Sequence, residues 1–270
     1  MRRVDNSQRW SGRYPSDIIL CRTWIVNICF VGEPNHRGDW VLIDAGTPFS
    51  SNLIFRKAAK LYGSGSKPKA IVLTHGHFDH VGALPGLLQK WDVPVYAHEL
   101  ELPYLTGEAD YSRPDPTVGG GMMTLMSPLY PQKGINLGNR IRSLPSDNSI
   151  PGLPGWRWIH TPGHTNGHIS IFRVSDRILI SGDAFITVKQ ESLFAVLMQK
   201  VEPHGPPAYF TTDWEAAFSS VQTLRDLHPA VVFPGHGLSV DGEVLSQFLD
   251  KLTREFKQIS VPKRGRYVTQ

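Results

Sequence analysis

Apolar residues fall along this chain in short extended runs that alternate with stretches at helical spacing. Ile18 to Val31 reads as two extended segments rich in Ile, Val, Trp and Cys, and Trp40-Val41-Leu42-Ile43 as another, stopped by Asp44-Ala45-Gly46. Ser50 or Ser51 can cap a helix running to about Leu61, with Leu53, Ile54, Ala58 and Leu61 on one face. Gly63-Ser64-Gly65-Ser66 ends it. Ala70-Ile71-Val72-Leu73 is a short, wholly apolar strand, followed by a helix near Leu84 to Trp91 and a strand at Val93-Pro94-Val95-Tyr96. Extended segments return at Trp156-Arg157-Trp158-Ile159, Ile169-Ser170-Ile171-Phe172 and Ile178-Leu179-Ile180. Helices are predicted from about Asp213 to Leu227 and Glu243 to Phe256, with the strand Ala230-Val231-Val232-Phe233 between them. This order predicts a layered α/β protein whose two similar halves meet face to face.

Between Gly107 and Gly155 the periodicity lapses, and 15 of 49 residues are Gly or Pro. A segment that long is usually functional, so residues 107–155 are expected to form a lid, crossover or substrate wall within a single 1–270 domain. Met122, Met123, Leu125, Met126, Leu129 and Tyr130 form an apolar cluster inside it, suited to packing on the body, to a dimer contact or to a substrate-facing surface. Lys189 reads as an exposed lysine at a helix start, the alternative being a contact to an anionic substrate group. His204-Gly205-Pro206-Pro207-Ala208-Tyr209-Phe210 is a rigid, aromatic-tipped loop that could wall a pocket. The tail Pro262 to Tyr267 could fold over the body, with disorder the default expectation.

Composition narrows the class. With 40 % hydrophobic and 19 % charged residues the chain is globular, which excludes intrinsic disorder and coiled coil. No apolar run approaches the roughly 20 residues of a membrane span, and Met1-Arg2-Arg3-Val4-Asp5-Asn6 has no apolar region behind it, so no signal peptide is expected. Cys21 and Cys29 share one apolar stretch and read as small buried hydrophobes of a reducing, cytoplasmic compartment. The net charge of +4 is scattered, with one basic cluster at Lys263-Arg264-Gly265-Arg266, so a nucleic-acid partner is not expected.

Candidate chemistry concentrates at strand exits. His75-Gly76-His77-Phe78-Asp79-His80 packs three imidazoles and a carboxylate into six residues directly after a buried strand. Thr161-Pro162-Gly163-His164-Thr165, Ser181-Gly182-Asp183-Ala184 and Pro234-Gly235-His236-Gly237 each place one ligand-type residue after a strand, beside a glycine that lets backbones approach closely. Four such exits on one edge would supply five His and two Asp, more than one tetrahedral ion needs and suited to two. A dinuclear site is predicted, with zinc the expected metal and iron or manganese possible. No serine or cysteine nucleophile arrangement is evident.

On these motifs, and on Asp44-Ala45-Gly46 after an early strand, the chain resembles the metallo-β-lactamase superfamily over roughly residues 18 to 258. The resemblance implies an αββα four-layer sandwich with the metals at one edge of the sheets. It implies that His75, His77 and His164 hold one ion, that Asp79, His80 and His236 hold the second, and that Asp183 bridges them. Two cations about 3.5–4 Å apart can share a water and lower its pKa from about 15.7 towards neutrality. The resulting hydroxide attacks an electrophilic carbonyl or phosphorus centre, with Asp79 the expected catalytic residue that orients it and shuttles its proton. Asp44 is expected to fix a ligand imidazole or the loop backbone, unless it only forms a turn before Gly46. His168 either supports the site or is satisfied in the core. His98 is expected to cap a helix start or face solvent, and His36, His160, His204 and His228 are read as non-ligands.

Fold alone does not choose the substrate. A bridging Asp resembles the glyoxalase II and lactonase-like branches more than those that cleave lactams. Only 34 residues follow His236, too few for the separate helical substrate domain of glyoxalase II. Quorum-quenching lactonases carry a tyrosine three residues after the bridging Asp, where this chain has Ile186; Tyr209 or Tyr104 could take its place in space. The expected activity is zinc-dependent hydrolysis of a small ester, lactone or thioester. The alternatives are a mononuclear iron enzyme of the sulfur dioxygenase type and an RNA or phosphodiester hydrolase.

Overall fold

A computed structural model describes residues 14–36 and 38–268; the predicted absence of a signal peptide at residues 1–6 lies outside them. The first sheet runs in sequence order through β1 (Ile18–Thr23), β2 (Val26–Val31), β3 (Val41–Ile43), β4 (Ile71–Val72), β5 (Val95–Ala97) and β6 (Ile141–Ser143). Its first three strands pair antiparallel and the rest parallel. Joining them are α1 (Ser51–Tyr62), the single-turn α2 (Phe78–Val81), α3 (Leu84–Lys90), α4 (Leu102–Leu105) and α5 (Met122–Met126). The second sheet is ordered β12 (Val240–Asp241), β11 (Val231–Pro234), β10 (Ile178–Gly182), β9 (Ile169–Arg173), β8 (Leu153–His160) and β7 (Ser149–Ile150). Here β10 and β11 pair parallel and all other neighbours antiparallel. The remaining α-helices are α6 (Leu193–Met198), α7 (Trp214–Asp226), α8 (Gly242–Arg254) and the single-turn α9 (Phe256–Ile259).

Strand periodicity sorts the side chains into three apolar layers, which is what makes a four-layer αββα sandwich. Ile28 and Phe30 of β2 face α1 and α3, packing with Ile54, Tyr62, Leu84 and Leu87. Cys29 and Val31, one residue out of phase, face the other sheet and meet Ile171, Ile178, Ile180 and Phe233. Beyond the second sheet, Phe172, Leu179 and Val232 pack on Val221, Leu224, Leu245 and Leu249 of α7 and α8. Each fully buried side chain of this kind contributes about 1.5–3 kcal/mol. Both cysteines are free, Cys29 buried and Cys21 half-buried, and burial pushes the Cys21 thiol up to about 11.

Several expectations need correction. The buried face of α1 is Ile54, Ala58 and Tyr62, while Leu53 is exposed, because positions four apart align better than the predicted set. Ser50 occupies the cap position but its hydroxyl pairs with Thr47 Oγ1 (2.8 Å) and not with the helix. The stretch 107–155 contains β6, β7 and the first residues of β8, so its second part belongs to the sheets. Its apolar cluster divides: Met123 is buried, whereas Met122, Leu125, Met126 and Leu129 are exposed. Lys189 is half-buried in a loop before α6, a helix that the sequence pattern did not reveal. The tail is ordered: Arg264 Nε donates to Thr117 O (3.2 Å), Tyr267 OH to Arg113 O (3.0 Å), and the Arg266 amide to Asp115 Oδ2. Among the described residues no helix is long and apolar enough to cross a membrane.

Candidate metal centre

The exits of β4, β8, β10 and β11 converge on one edge, as their glycines allow. A Cβ at Gly76 would lie 2.3 Å from the Tyr111 hydroxyl, and one at Gly235 would lie 2.1 Å from Asp183 Oδ1. Gly163, at φ +128°, packs a backbone position against α7 where a Cβ would stand 2.3 Å from Ala217 N. The loop after β4 runs through His75, Gly76 and His77 and then turns into α2, which carries Asp79 and His80.

All seven predicted ligand-type residues meet there, and all are buried. Three overlapping groups have donor atoms close enough to hold an ion: His75, His77 and His164; His75, His80 and Asp183; Asp79, His80 and His236. Asp183 lies among them, with Oδ1 3.6 Å from His80 Nε2 and Oδ2 3.6 Å from His164 Nε2 and 3.2 Å from His236 Nε2. Asp79 Oδ2 lies 3.5 Å from His236 Nε2.

Hydrogen bonds on the outer ring nitrogens dictate which nitrogens look inward. Thr74 Oγ1 donates to Asp44 Oδ2 (2.9 Å), so it accepts from His75 Nδ1 (3.1 Å). His80 Nδ1 donates to Asp44 Oδ2 (2.9 Å) and His236 Nδ1 to Ile25 O (2.7 Å). Thr211 Oγ1 donates to Pro207 O (2.8 Å) and accepts from His164 Nδ1 (3.3 Å). Each of these four rings therefore turns its Nε2 towards the centre, and His77 turns its Nδ1 there, 2.9 Å from His164 Nε2. His75 Nε2, His80 Nε2 and Asp183 Oδ1 are buried with no hydrogen-bond partner. Buried polar atoms left without a partner are costly unless a cation satisfies them, so the residues fit a metal ion.

Electrostatics agree. Burial pushes His77 down to about 3, and burial with neighbouring imidazoles holds His75 and His164 well below the usual value, leaving neutral rings suited to coordination. Burial also lowers His80 and His236, but Asp44 and Asp183 outweigh it at His80, as Asp183 does at His236, and both rise. Asp183 is held well below the ordinary carboxylate range by His236 and His80 despite its burial, whereas burial raises Asp79.

These values predict an acid-sensitive metal-free protein. His77 and His168 titrate near 3 when folded and near 6.5 as free side chains. Below about 6.5 the unfolded chain binds protons at them and the fold does not, so each costs about 1.4 kcal/mol per pH unit down towards 3. His80 and His236, being raised, are charged in both states throughout this window and add no slope. Urea midpoints of chelator-treated protein should fall steadily from pH 6.5 to 4.5; a level profile would contradict buried neutral rings.

The supporting residues are only partly those expected. Asp44, held at φ +60°, accepts from Thr74 N (2.8 Å), Thr74 Oγ1 and His80 Nδ1, which is more than a turn requires. His168 Nε2 accepts from the Asp183 amide (2.9 Å) while its Nδ1 faces Thr161. His98 caps the turn after β5, where its ring accepts from Leu100 N (3.3 Å), and it stacks on His160 at 4.4 Å. His204 pairs with Glu191 (3.3 Å), and neither His160 nor His204 falls in the ligand groups. Phe210, at the tip of the loop expected to wall a pocket, stacks on His77 at 4.5 Å; sequence reasoning missed Thr74, Thr211 and the buried Glu101. Thr74 precedes His75 and carried a local signal; the others touch the site through distant folds of the chain. Of the two candidate tyrosines, Tyr104 stacks on Tyr111 (4.1 Å), while Tyr209 is buried and has its pKa raised by burial and by the charges of Asp79 and Glu191.

Fold and site together define a metal-dependent hydrolase of αββα architecture. The chain belongs to the metallo-beta-lactamase superfamily, whose model matches residues 21–236. It is 46 % identical over 235 residues to the probable metallo-hydrolase YflN of Bacillus subtilis (strain 168), covering 87 % of this chain and 89 % of that one. Among solved structures, TTHA1623 in a di-iron-bound form aligns with a TM-score of 0.53 and 26 % identity over 88 % of this chain and 96 % of its own. ST1585 from Sulfolobus tokodaii, at 22 % identity, shares the fold with a TM-score of 0.58 over 90 % of this chain and 86 % of its own.

Proposed function

We propose that this protein is a dinuclear zinc hydrolase of a small ester, lactone or thioester. His75, His77 and His164 would hold one ion, Asp79, His80 and His236 the other, with Asp183 shared between them. The observation that carries this reading is the convergence of five imidazole rings and two carboxylates on one buried point, three of whose atoms have no hydrogen-bond partner. When bound, such a pair supplies Lewis acidity towards the substrate carbonyl and ionises a water.

The chain's own groups do the rest. Asp79 orients the attacking water and takes its proton, a role suited to a carboxyl whose pKa burial has raised. Asp44 and Ile25 O keep His80 and His236 in the tautomer that faces inward. Phe78, Tyr130, Tyr209 and Phe210 form an apolar and aromatic cluster that reaches the centre where Phe210 stacks on His77 (4.5 Å), a surrounding that suits a carbonyl compound with an apolar portion better than a phosphodiester.

The test is a screen of lactones, thioesters, phosphodiesters and β-lactams on zinc-loaded protein with a chelator control, alongside elemental analysis. Two zinc ions per chain and chelator-sensitive turnover of a carbonyl ester class are expected. A preference for phosphodiesters, or one iron per chain with oxygen consumption, would overturn the reading. The di-iron form of TTHA1623 makes iron the metal against which zinc is to be compared.

A further inference from the structure

Glu101 follows β5, is wholly buried, and lies outside the seven residues that converge on the centre. Each of its oxygens accepts two hydrogen bonds. Oε2 takes the Gly76 amide (3.0 Å) and the Tyr111 hydroxyl. Oε1 takes the Thr165 hydroxyl (2.6 Å) and the Gly167 amide (3.0 Å). Gly76 separates His75 from His77, and Thr165 follows His164, so one carboxylate ties together the two loops that carry His75, His77 and His164. Tyr111 extends the tie, because its ring packs on His77 with centroids 4.6 Å apart. The fit is close: a Cβ at Gly167 would lie 2.7 Å from Glu101 Cγ. The other half of the centre rests on different groups, Asp44 behind His80 and Ile25 O behind His236.

We propose that Glu101 is a positioning residue for one ion alone, clamping the loops of His75, His77 and His164 while leaving the Asp79, His80 and His236 position to its own supports. Each oxygen accepts from a backbone amide, Gly76 or Gly167, which can only donate, so a carboxylate is required. A glutamine would keep the volume but turn an amide N–H₂ against the backbone N–H of Gly76 or Gly167, opening the clamp on that side. This inference rests on the two-ion reading above.

The experiment measures zinc affinity by competition with a chromophoric chelator, on otherwise intact protein. In a His236→Ala background, which leaves one position, Glu101→Gln should weaken the remaining ion by about 10- to 100-fold. In a His77→Ala background, which leaves the other position, Glu101→Gln should change affinity less than twofold. Equal weakening in both backgrounds would show a general structural role, and no weakening in the first would show no role; either overturns the proposal. Wild-type protein that binds fewer than two zinc ions would defeat the two-ion reading itself, a separate outcome. If Glu101→Gln does not fold, Thr165→Val, which removes one donor and keeps the carboxylate, should show a smaller effect confined to the same background.

Discussion

Asp183→Asn is expected to lower metal-dependent turnover by a thousandfold or more, a loss on the order of 4 kcal/mol in transition-state stabilisation. Asp183 stands within 3.6 Å of ring nitrogens from both halves of the centre. The amide keeps the shape and removes the charge that would offset the proposed cations, and it places an N–H₂ group among the ring nitrogens that would hold them. His77→Ala should likewise abolish turnover, by deleting the one ring that presents Nδ1 to the first group. Initial rates and metal content measured together decide the matter. Both variants should remain soluble and folded, and full activity in either would defeat the proposed mechanism.

Asp44→Ala is expected to cost about 3–5 kcal/mol of stability, the range seen when one partner of a buried charged network is removed. Three donors lose their acceptor at once: Thr74 N, Thr74 Oγ1 and His80 Nδ1. None can reach water, since Thr74 and His80 are wholly buried. Alanine would also inherit the left-handed backbone at φ +60°, which a short polar side chain tolerates better. Urea unfolding of metal-free protein measures the change directly. A loss below about 1 kcal/mol would mean that the surrounding loop relaxes and that Asp44 acts as little more than a turn residue.

Much of the architecture was legible in the chain because strands such as Ile178-Leu179-Ile180 and Val231-Val232-Phe233 are buried on both faces and so read as unbroken apolar runs. Each stops at a glycine or proline followed by a ligand-type residue, which is why the order β4, β8, β10, β11 could be read as a set of exits. Helix α6 was invisible for the opposite reason: Phe194, Leu197 and Met198 are exposed, so its apolar residues carry no amphipathic period. The ordered tail was equally hidden, since what holds it is a set of bonds to Arg113, Asp115 and Thr117, about 150 residues earlier.

The amino-acid sequence by itself determined where the strands that feed the centre lie and which imidazoles and carboxylates stand at their exits, because those are local properties of spacing and composition. Tertiary structure alone decided which nitrogen of each ring faces inward and what stands behind it. Glu101 reaches Gly76 across 25 residues and Gly167 across 66, and Ile25 reaches His236 across 211. A hydrogen bond depends on positions in space within a few tenths of an ångström, and no pattern along the chain encodes distances of that kind between segments so far apart.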